Sequence, residues 1–273
     1  MIQGQLFDTH SPYTLKLHVL GSGSRGNACV VEGVDGAILV DAGFSARELC
    51  TRLDALGIAR ESIKALVLTH EHSDHSSGAG VISRRLSLPV YATAGTLDSR
   101  TFMRTGARDV ATRITAGHTM TLAGIRITPF PTHHDAAQPV GFRFEQGHDA
   151  IGYMTDTGEI PAEATEMLAD VRVLALESNH DMQMLMHGPY PYHLKQRIKS
   201  ATGHLSNEQA ATALAELASS ALEQVVAMHL SETNNLPLHS DKALREVLAG
   251  LDHPAHVQSA GQHRPRTCES LDG

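Results

Sequence analysis

Residues 70–75 are the part of the chain richest in side chains that can do chemistry. They read His-Glu-His-Ser-Asp-His and directly follow an apolar run at 65–69 that predicts a strand. In an extended segment His70 and His72 point to the same side, and a turn into a helix then carries Asp74 and His75 in another direction. Because ionisable side chains resist burial unless they are paired or bound to a metal, this spacing predicts ligands for two metal ions.

Further residues of the same ligand types follow other predicted strands. His133, His134 and Asp135 come after Ile-Thr-Pro-Phe-Pro, Asp156 follows Ile-Gly-Tyr-Met-Thr, and His229 follows Gln-Val-Val-Ala-Met. A centre with two ions needs more ligands than the first segment offers, so we expect these residues to complete it. Neighbouring residues of a strand face opposite ways, and chemistry alone therefore does not decide between His133 and His134.

A glycine-rich segment imitates a cofactor site. Gly21, Gly23 and Gly26 follow a predicted strand with Asp41 further on, as in the dinucleotide fingerprint. That fingerprint needs a helix whose N-terminus binds pyrophosphate, whereas residues 27–32 read as a strand. We therefore expect a tight turn between two strands and no nucleotide cofactor.

Short aliphatic runs alternate with helical patterns along the chain, which predicts an α/β fold. We expect one domain over residues 15–260, with weakly ordered tails at 1–14 and 261–273. The predicted strands cover 15–20, 28–32, 37–40, 65–69, 90–92, 125–130, 140–145, 150–154, 171–176 and 224–230. The predicted helices cover 45–56, 76–87, 162–169, 190–201, 206–219 and 240–250.

The composition excludes several classes of protein. With 41% hydrophobic and 19% charged residues the chain is too apolar to be disordered, and it has no apolar run of the ~20 residues that a membrane helix needs. The opening segment lacks a signal-peptide pattern, and the three cysteines are scattered, so we predict a cytoplasmic protein with free thiols and no membrane partner. The net charge of −8 argues against a broadly basic surface but permits a local basic groove.

Taken together, these motifs resemble the metallo-β-lactamase superfamily of metal-dependent hydrolases. The matching segments are LVDAG (39–43), HEHSDH (70–75), the histidines of 133–134, TDTG (155–158) and MHLS (228–231). The resemblance implies an αβ/βα sandwich of two mixed β-sheets flanked by helices, with the metals at one edge. It also implies that one ion is held by His70, His72 and His134, that the other is held by Asp74, His75 and His229, that Asp156 bridges both, and that Asp41 orients a ligating imidazole.

Finer motifs are similar to those of the YycJ/WalJ group of bacterial proteins, which are implicated as 5′-to-3′ DNA exonucleases. These motifs are GSGSRGN (21–27), HHDAAQP (133–139), ESNHD (177–181), GPYP (188–191) and GHLSNEQAA (203–211). The match of HHDAAQP to this group implies that His134, and not His133, is the metal ligand. The group is also similar to the tRNase Z family, in which a glutamate and a histidine assist the leaving group, and Glu177 and His204 occupy the matching places.

The expected reaction is hydrolysis of a phosphodiester in nucleic acid, with DNA as the favoured substrate. Two divalent ions, with zinc favoured over manganese or iron, lower the pKa of a shared water so that hydroxide is the nucleophile. Asp74 is expected to orient or deprotonate that water. His204, kept cationic by Glu177, is expected to give a proton to the departing oxygen.

Four residues are candidate substrate contacts. Ser24 and Asn27 lie in the glycine-rich turn, and Lys195 and Arg197 lie on a predicted helix, where basic residues can contact a nucleic-acid backbone. Two other functions remain open: hydrolysis of another ester such as a lactone or thioester, which the negative net charge favours, and metal binding by a non-catalytic regulator. The sequence leaves the role of His180 and the oligomeric state undetermined.

Overall fold

Two β-sheets of seven strands each form the centre of the protein over residues 14–268, the part of the chain that the computed structural model describes. The first sheet contains β1 (Lys16–Gly21), β2 (Ala28–Gly33), β3 (Gly36–Val40), β4 (Ile63–Val67), β5 (Val90–Thr93), β6 (Ala111–Ile114) and β14 (Arg266–Cys268). The second contains β7 (Met120–Leu122), β8 (Ile125–Pro131), β9 (Val140–Gln146), β10 (Asp149–Met154), β11 (Val173–Glu177), β12 (Gln224–Met228) and β13 (His256–Ser259).

The order of strands is β14-β1-β2-β3-β4-β5-β6 in the first sheet and β13-β12-β11-β10-β9-β8-β7 in the second. Both sheets are mixed. The pair β1–β2 is antiparallel and β3–β4 parallel, while β9–β10 is antiparallel and β10–β11 parallel. The first half of the chain thus builds one sheet and the second half the other, and β14 returns from the end of the chain to the first sheet.

Helices connect the strands and flank the two sheets. They are α1 (Ala46–Ala55), α2 (Ser73–Ser76), α3 (Ala79–Leu86), α4 (Ala94–Asp98), α5 (Arg100–Met103), α6 (Ala162–Leu168), α7 (Met182–His187), α8 (Tyr192–Ile198), α9 (Asn207–Leu217) and α10 (Pro237–Gly250). One apolar cluster between the sheets joins residues such as Val31 and Phe142, and two others lie beneath the helices, around Leu49 and Leu214. The predicted αβ/βα sandwich is confirmed.

Several elements differ from the sequence prediction: strands β6, β7 and β13 and helices α4, α5 and α7 were not predicted, and one helix and one tail have other bounds. The helix predicted over 76–87 begins only at Ala79, as α3, and Ser76 ends the separate α2. The chain is interrupted between them because Gly78 N donates to Ala42 O and the backbone there lies so close to Phe44 that a Cβ atom would be 2.0 Å from its carbonyl oxygen. The tail predicted from residue 261 starts later, because the buried Gln262 accepts from Arg25 N and β14 pairs with β1. Residues 1–13 and 269–273 of the predicted tails lie outside the described part.

Candidate metal centre

Strand β4 and helix α2 position the chemical side chains of residues 70–75. β4 ends at Val67, and α2 begins at Ser73, directly after His72. The ring centroid of His70 is 4.6 Å from that of His72 and 4.2 Å from that of His75. His70 and His75 are buried, and His72 and Asp74 are half-buried. The turn after β4 therefore brings the two halves of the motif close together.

The second sheet supplies three more side chains from the ends of its strands. His134 lies just beyond β8, Asp156 just beyond β10, and His229 directly beyond β12. Asp156 and His229 have φ angles of 53° and 54°, and Asp41, directly after β3, has 61°. Non-glycine residues seldom adopt this left-handed region, and such strain is typical of functional sites, where the surroundings force a side chain into a required direction.

These side chains converge into clusters whose candidate ligand atoms lie within 4.8 Å of one another. One cluster contains His70, His72 and His134, and another contains Asp74, His75 and His229. Asp156 extends to both, since its Oδ2 is 3.0 Å from His75 Nε2 and its Oδ1 is 3.8 Å from His134 Nε2. The arrangement is consistent with a dinuclear metal site.

Two buried nitrogen atoms test whether cations fit these clusters. Nε2 of His70 and Nε2 of His229 are buried and have no hydrogen-bond partner within residues 14–268. An unpaired polar atom in the interior costs free energy, and a cation that takes its lone pair removes that cost. Burial lowers the pKa of His70 well below its usual range, so this ring is in the neutral form that binds metals. The donor set therefore fits divalent ions.

Protons compete with an ion for two of the rings. Burial opposes the charged form of His75 and His229, but the adjacent Asp156 carboxylate raises the pKa of both rings well above the usual range. An ion that binds here must displace these protons, so its affinity falls as the pH drops.

Hydrogen bonds to the outer nitrogens orient two of the rings. Nδ1 of His75 is 2.8 Å from Oδ2 of Asp41, and the Asp41 carboxylate also accepts from the backbone N–H and the hydroxyl of Thr69. Nδ1 of His134 donates to the carbonyl oxygen of Gly203 at 3.0 Å. In each ring Nε2 is therefore the nitrogen that faces the cluster, where it lies 3.0 Å from Asp156 Oδ2 in His75 and 3.2 Å from His72 Nδ1 in His134.

An acid–histidine pair lies beside the clusters. Glu177 Oε1 is 2.7 Å from His204 Nδ1 and 3.2 Å from His229 Nδ1, while Oε2 accepts from the N–H groups of Thr157 and Leu205. Burial acts to raise the pKa of Glu177, but the charge of His204 and these hydrogen bonds lower it to about 2. Glu177 is therefore an anion at neutral pH. His204 keeps 19% of its side chain exposed, so its ring can reach a molecule from solvent.

Helix α9 fixes the position of His204. Ser206 and Gln209 form both hydrogen bonds of a capping box at the start of this helix, as their spacing predicts. The backbone N–H of His204 donates to Ile198 O at the end of α8. The backbone at His204 is thus fixed between the ends of two helices, and Glu177 contacts the ring.

Comparison with known proteins places this geometry in a family. Residues 37–230 match a family described as "Beta-lactamase superfamily domain". The chain belongs to the metallo-β-lactamase superfamily. It is similar to exodeoxyribonuclease YycJ of Bacillus anthracis, with 32% identity over 86% of this chain and 89% of that protein. It is also similar to exodeoxyribonuclease WalJ of Streptococcus pneumoniae, with 34% identity over 87% of this chain and 89% of that protein.

A solved structure shows the same fold. The metallo-β-lactamase fold protein YhfI from Bacillus subtilis has a TM-score of 0.70 and 18% identity, covering 93% of this chain and 99% of YhfI. The predicted superfamily and the resemblance to the YycJ/WalJ group are therefore confirmed. No helix within residues 14–268 of this superfamily member combines the length and apolar character needed to cross a bilayer.

Two of the four predicted substrate contacts lie at a cavity. Ser24 and Arg197 line a cavity of about 170 Å³ that His134 and His204 also line. Arg197 Nε donates to Asp135 Oδ2 at 2.5 Å, and Asp135 Oδ1 lies 3.4 Å from His134 Nε2. The cavity therefore connects a solvent-facing cation with the candidate metal ligands of this superfamily member.

The other two predicted contacts have partners within the protein. Asn27 is fully buried, its Oδ1 accepts from Gly23 N, and its Nδ2 lies 3.0 Å from His75 Nε2. Lys195 Nζ donates to the carbonyl oxygens of Met186 and Gly188, each at 2.8 Å. Contact of either residue with substrate stays a prediction.

The sequence neighbour of His134 lies outside the clusters. His133 is half-exposed, and its Nδ1 lies 2.7 Å from Glu159 Oε1, so His134 alone of the pair enters the clusters.

Sequence reasoning missed Glu71, whose buried Oε1 accepts from Ala137 N at 2.8 Å. This bond ties residues 70–75 to the loop that carries His134. Nothing in the sequence around Glu71 indicates this contact, because its partner Ala137 lies 66 residues further along the chain.

Proposed function

We propose that this protein is a hydrolase of phosphodiesters in nucleic acid that depends on two divalent ions, and that it acts as a 5′-to-3′ DNA exonuclease. The observation that carries the proposal is the placement of the Glu177–His204 pair beside two histidine–aspartate clusters that share Asp156. The names of the two relatives at 32% and 34% identity support DNA as the substrate. A cytoplasmic location belongs to the same proposal.

The proposed ligands divide between the two ions. His70, His72 and His134 would hold one, Asp74, His75 and His229 the other, and Asp156 would bridge both. Asp41 would keep the His75 ring in its binding orientation. Imidazole with carboxylate suits zinc, with manganese and iron as alternatives. When bound, the two ions would activate a water molecule and neutralise charge on the phosphodiester.

The side chains of this chain would then handle orientation and protons. Asp74 is half-buried at the edge of its cluster and would orient the attacking water and accept its proton. As the new P–O bond forms, the bond to the departing oxygen breaks, and His204 gives that oxygen a proton. The anionic Glu177 holds Nδ1 of His204, so the exposed side of the ring faces the substrate. At the mouth of the cavity, Arg197 would attract the phosphate backbone despite the net charge of −8.

The decisive assay uses metal-reconstituted protein on end-labelled single-stranded and duplex DNA and RNA. We expect stepwise removal of nucleotides from the 5′ end of DNA, no cleavage after chelation, and none by a His70→Ala/Asp74→Ala variant. Internal cutting alone, or activity only on RNA, would overturn the exonuclease proposal. Activity that survives both chelation and the double substitution would overturn metal-dependent catalysis altogether.

The same preparation separates the two rival functions. A lactone or thioester hydrolase would cleave those esters and no nucleic acid. A metal-binding regulator would bind one ion and hydrolyse no diester. Structural zinc sites are closed and usually mononuclear, whereas the clusters here open onto a cavity through His134. This opening favours catalysis over a regulatory role.

A further inference from the structure

The cavity beside the candidate metal centre is lined by two chemically different groups of side chains. Tyr190, Leu194 and Ile198 are named the apolar wall here, and His134 and His204, next to the Asp135–Arg197 ion pair, are named the polar wall. Leu194 and Ile198 are four residues apart on α8, so they lie on one face of that helix and present a continuous aliphatic surface. Neither Leu194 nor Ile198 is used by the proposed hydrolysis, and neither is Tyr190.

The aromatic member of the apolar wall is a rare residue in this chain. The sequence contains no Trp, six Phe and five Tyr, and two of those tyrosines are Tyr190 and Tyr192. Tyr190 is half-buried in the cavity wall, whereas Tyr192 is 73% exposed and does not line the cavity. An aromatic ring beside aliphatic side chains, with a cation at the mouth, is the surface on which nucleic-acid bases stack.

We infer that this cavity holds the terminal nucleoside of the substrate strand, with its base stacked on Tyr190. The inference rests on the proposed phosphodiester hydrolysis and names the part of the substrate that this site selects. The apolar wall matches the faces of a base, and the polar wall matches the sugar oxygen next to the scissile phosphate. Arg197 at the mouth matches the charge of the strand.

The position of His204 assigns the departing oxygen. Because His204 lines the same cavity, the nucleoside in the cavity carries the oxygen that receives the proton. For the 5′-terminal nucleotide this is the 3′ oxygen. Water supplies the new oxygen on phosphorus, its proton passes to Asp74, the P–O3′ bond breaks, and the proton of His204 goes to O3′. The products are a mononucleotide with a 3′-hydroxyl and a strand that begins with a 5′-phosphate.

The test compares Tyr190→Ala with Tyr190→Phe and with Tyr192→Ala, the matched control at an exposed tyrosine. All are assayed with a short 3′-labelled DNA strand and with the same strand carrying an abasic sugar at its 5′ end. On the normal strand we expect Tyr190→Ala to raise KM about tenfold, and the other two variants to stay within about twofold of the parent protein. On the abasic strand Tyr190→Ala should have the same KM as the parent protein, because the base that Tyr190 would contact is missing.

The outcomes separate this inference from the proposed function. An equal rise in KM on both strands, or none on either, would overturn base stacking at Tyr190 while leaving the hydrolase intact. Absence of cleavage of either strand by the metal-loaded parent protein would instead refute the proposed function. If Tyr190→Ala is poorly folded, Tyr190→Leu gives the same test, because it keeps an apolar side chain in the cavity and removes the ring: its KM should rise on the normal strand and not on the abasic strand.

Discussion

Three histidines of the candidate site differ in what their Nδ1 atoms contact. Nδ1 of His75 meets a carboxylate, Nδ1 of His134 meets a carbonyl oxygen, and Nδ1 of His204 meets the carboxylate of Glu177. The first two rings turn Nε2 toward the clusters, and the third keeps part of its surface toward the cavity. In the proposed function one residue type would therefore serve as metal ligand at some positions and as proton donor at another, according to the partner of Nδ1.

Replacement of His204 by Ala should distinguish a proton donor from a structural residue. We expect cleavage of DNA to fall about 10²–10⁴-fold, the usual contribution of general acid catalysis, because the departing sugar oxygen is a strong base. Hydrolysis of bis(p-nitrophenyl) phosphate, whose leaving group needs no proton, should fall by less than about tenfold. The measurement is kcat on both substrates, with metal content checked by elemental analysis. Equal losses on both substrates would contradict the assigned role.

The fully buried His180 predicts an acid-sensitive stability. Neither of its ring nitrogens has a hydrogen-bond partner in the described part of the chain. Burial lowers the pKa of His180 to about 4, despite the opposing charge of Glu177. Between pH 6.5 and about 4 the unfolded chain therefore binds a proton that the folded chain does not, so the free energy of unfolding falls as the pH drops through this interval.

A His180→Phe variant tests this expectation, since it keeps a ring and removes the titration. In urea unfolding of metal-free protein, the parent should lose up to about 3 kcal/mol more than the variant between pH 6.5 and pH 4. Above pH 6.5 the difference between the two proteins should not change with pH. A parallel decline of both proteins on acidification would show that His180 does not titrate in this interval.

At the scale of elements, the ends of strands place the functional groups. The strands, and the convergence of the candidate ligands at their ends, could be predicted because the aliphatic runs are buried on both faces of the sheets and therefore stand out in sequence. Other features depend on contacts far along the chain. The break between α2 and α3 follows from the approach of Gly78 to Phe44, and β14 exists because it pairs with β1. Neither contact can be recognised from the neighbouring residues in sequence, and the same is true of the hydrogen bond between Glu71 and Ala137.

The loop that carries His134 should depend on Glu71. In a Glu71→Ala variant the amide of Ala137 loses its acceptor, so we expect faster hydrogen exchange over residues 132–139. Affinity for the ion at His70, His72 and His134 should fall about tenfold, the lower end of the effect of removing a residue that supports a ligand. Glu61→Ala, which removes an exposed carboxylate just before β4, is the control. Unaltered exchange at Ala137 would contradict this assignment.

At the scale of the whole molecule, the centre joins the two sheets. The segment after β4 in the first sheet supplies four of the candidate ligands, and the ends of β8, β10 and β12 in the second supply the other three. Each cluster draws on both sheets, so a bound ion links one half of the chain to the other. The sandwich is therefore expected to depend on metal for part of its stability as well as for chemistry.

Removal of metal should thus lower the stability of the entire domain. An ion that binds only the folded chain adds about 2.7 kcal/mol per site at a free concentration of 100 Kd, so chelation should lower the thermal midpoint and metal should restore it. Elemental analysis should find two ions per chain. A His70→Ala/His229→Ala variant, which loses one ligand from each cluster, serves as the control because its midpoint should not respond to metal. The same midpoint for the parent with and without chelator would mean that the ions do not link the two sheets.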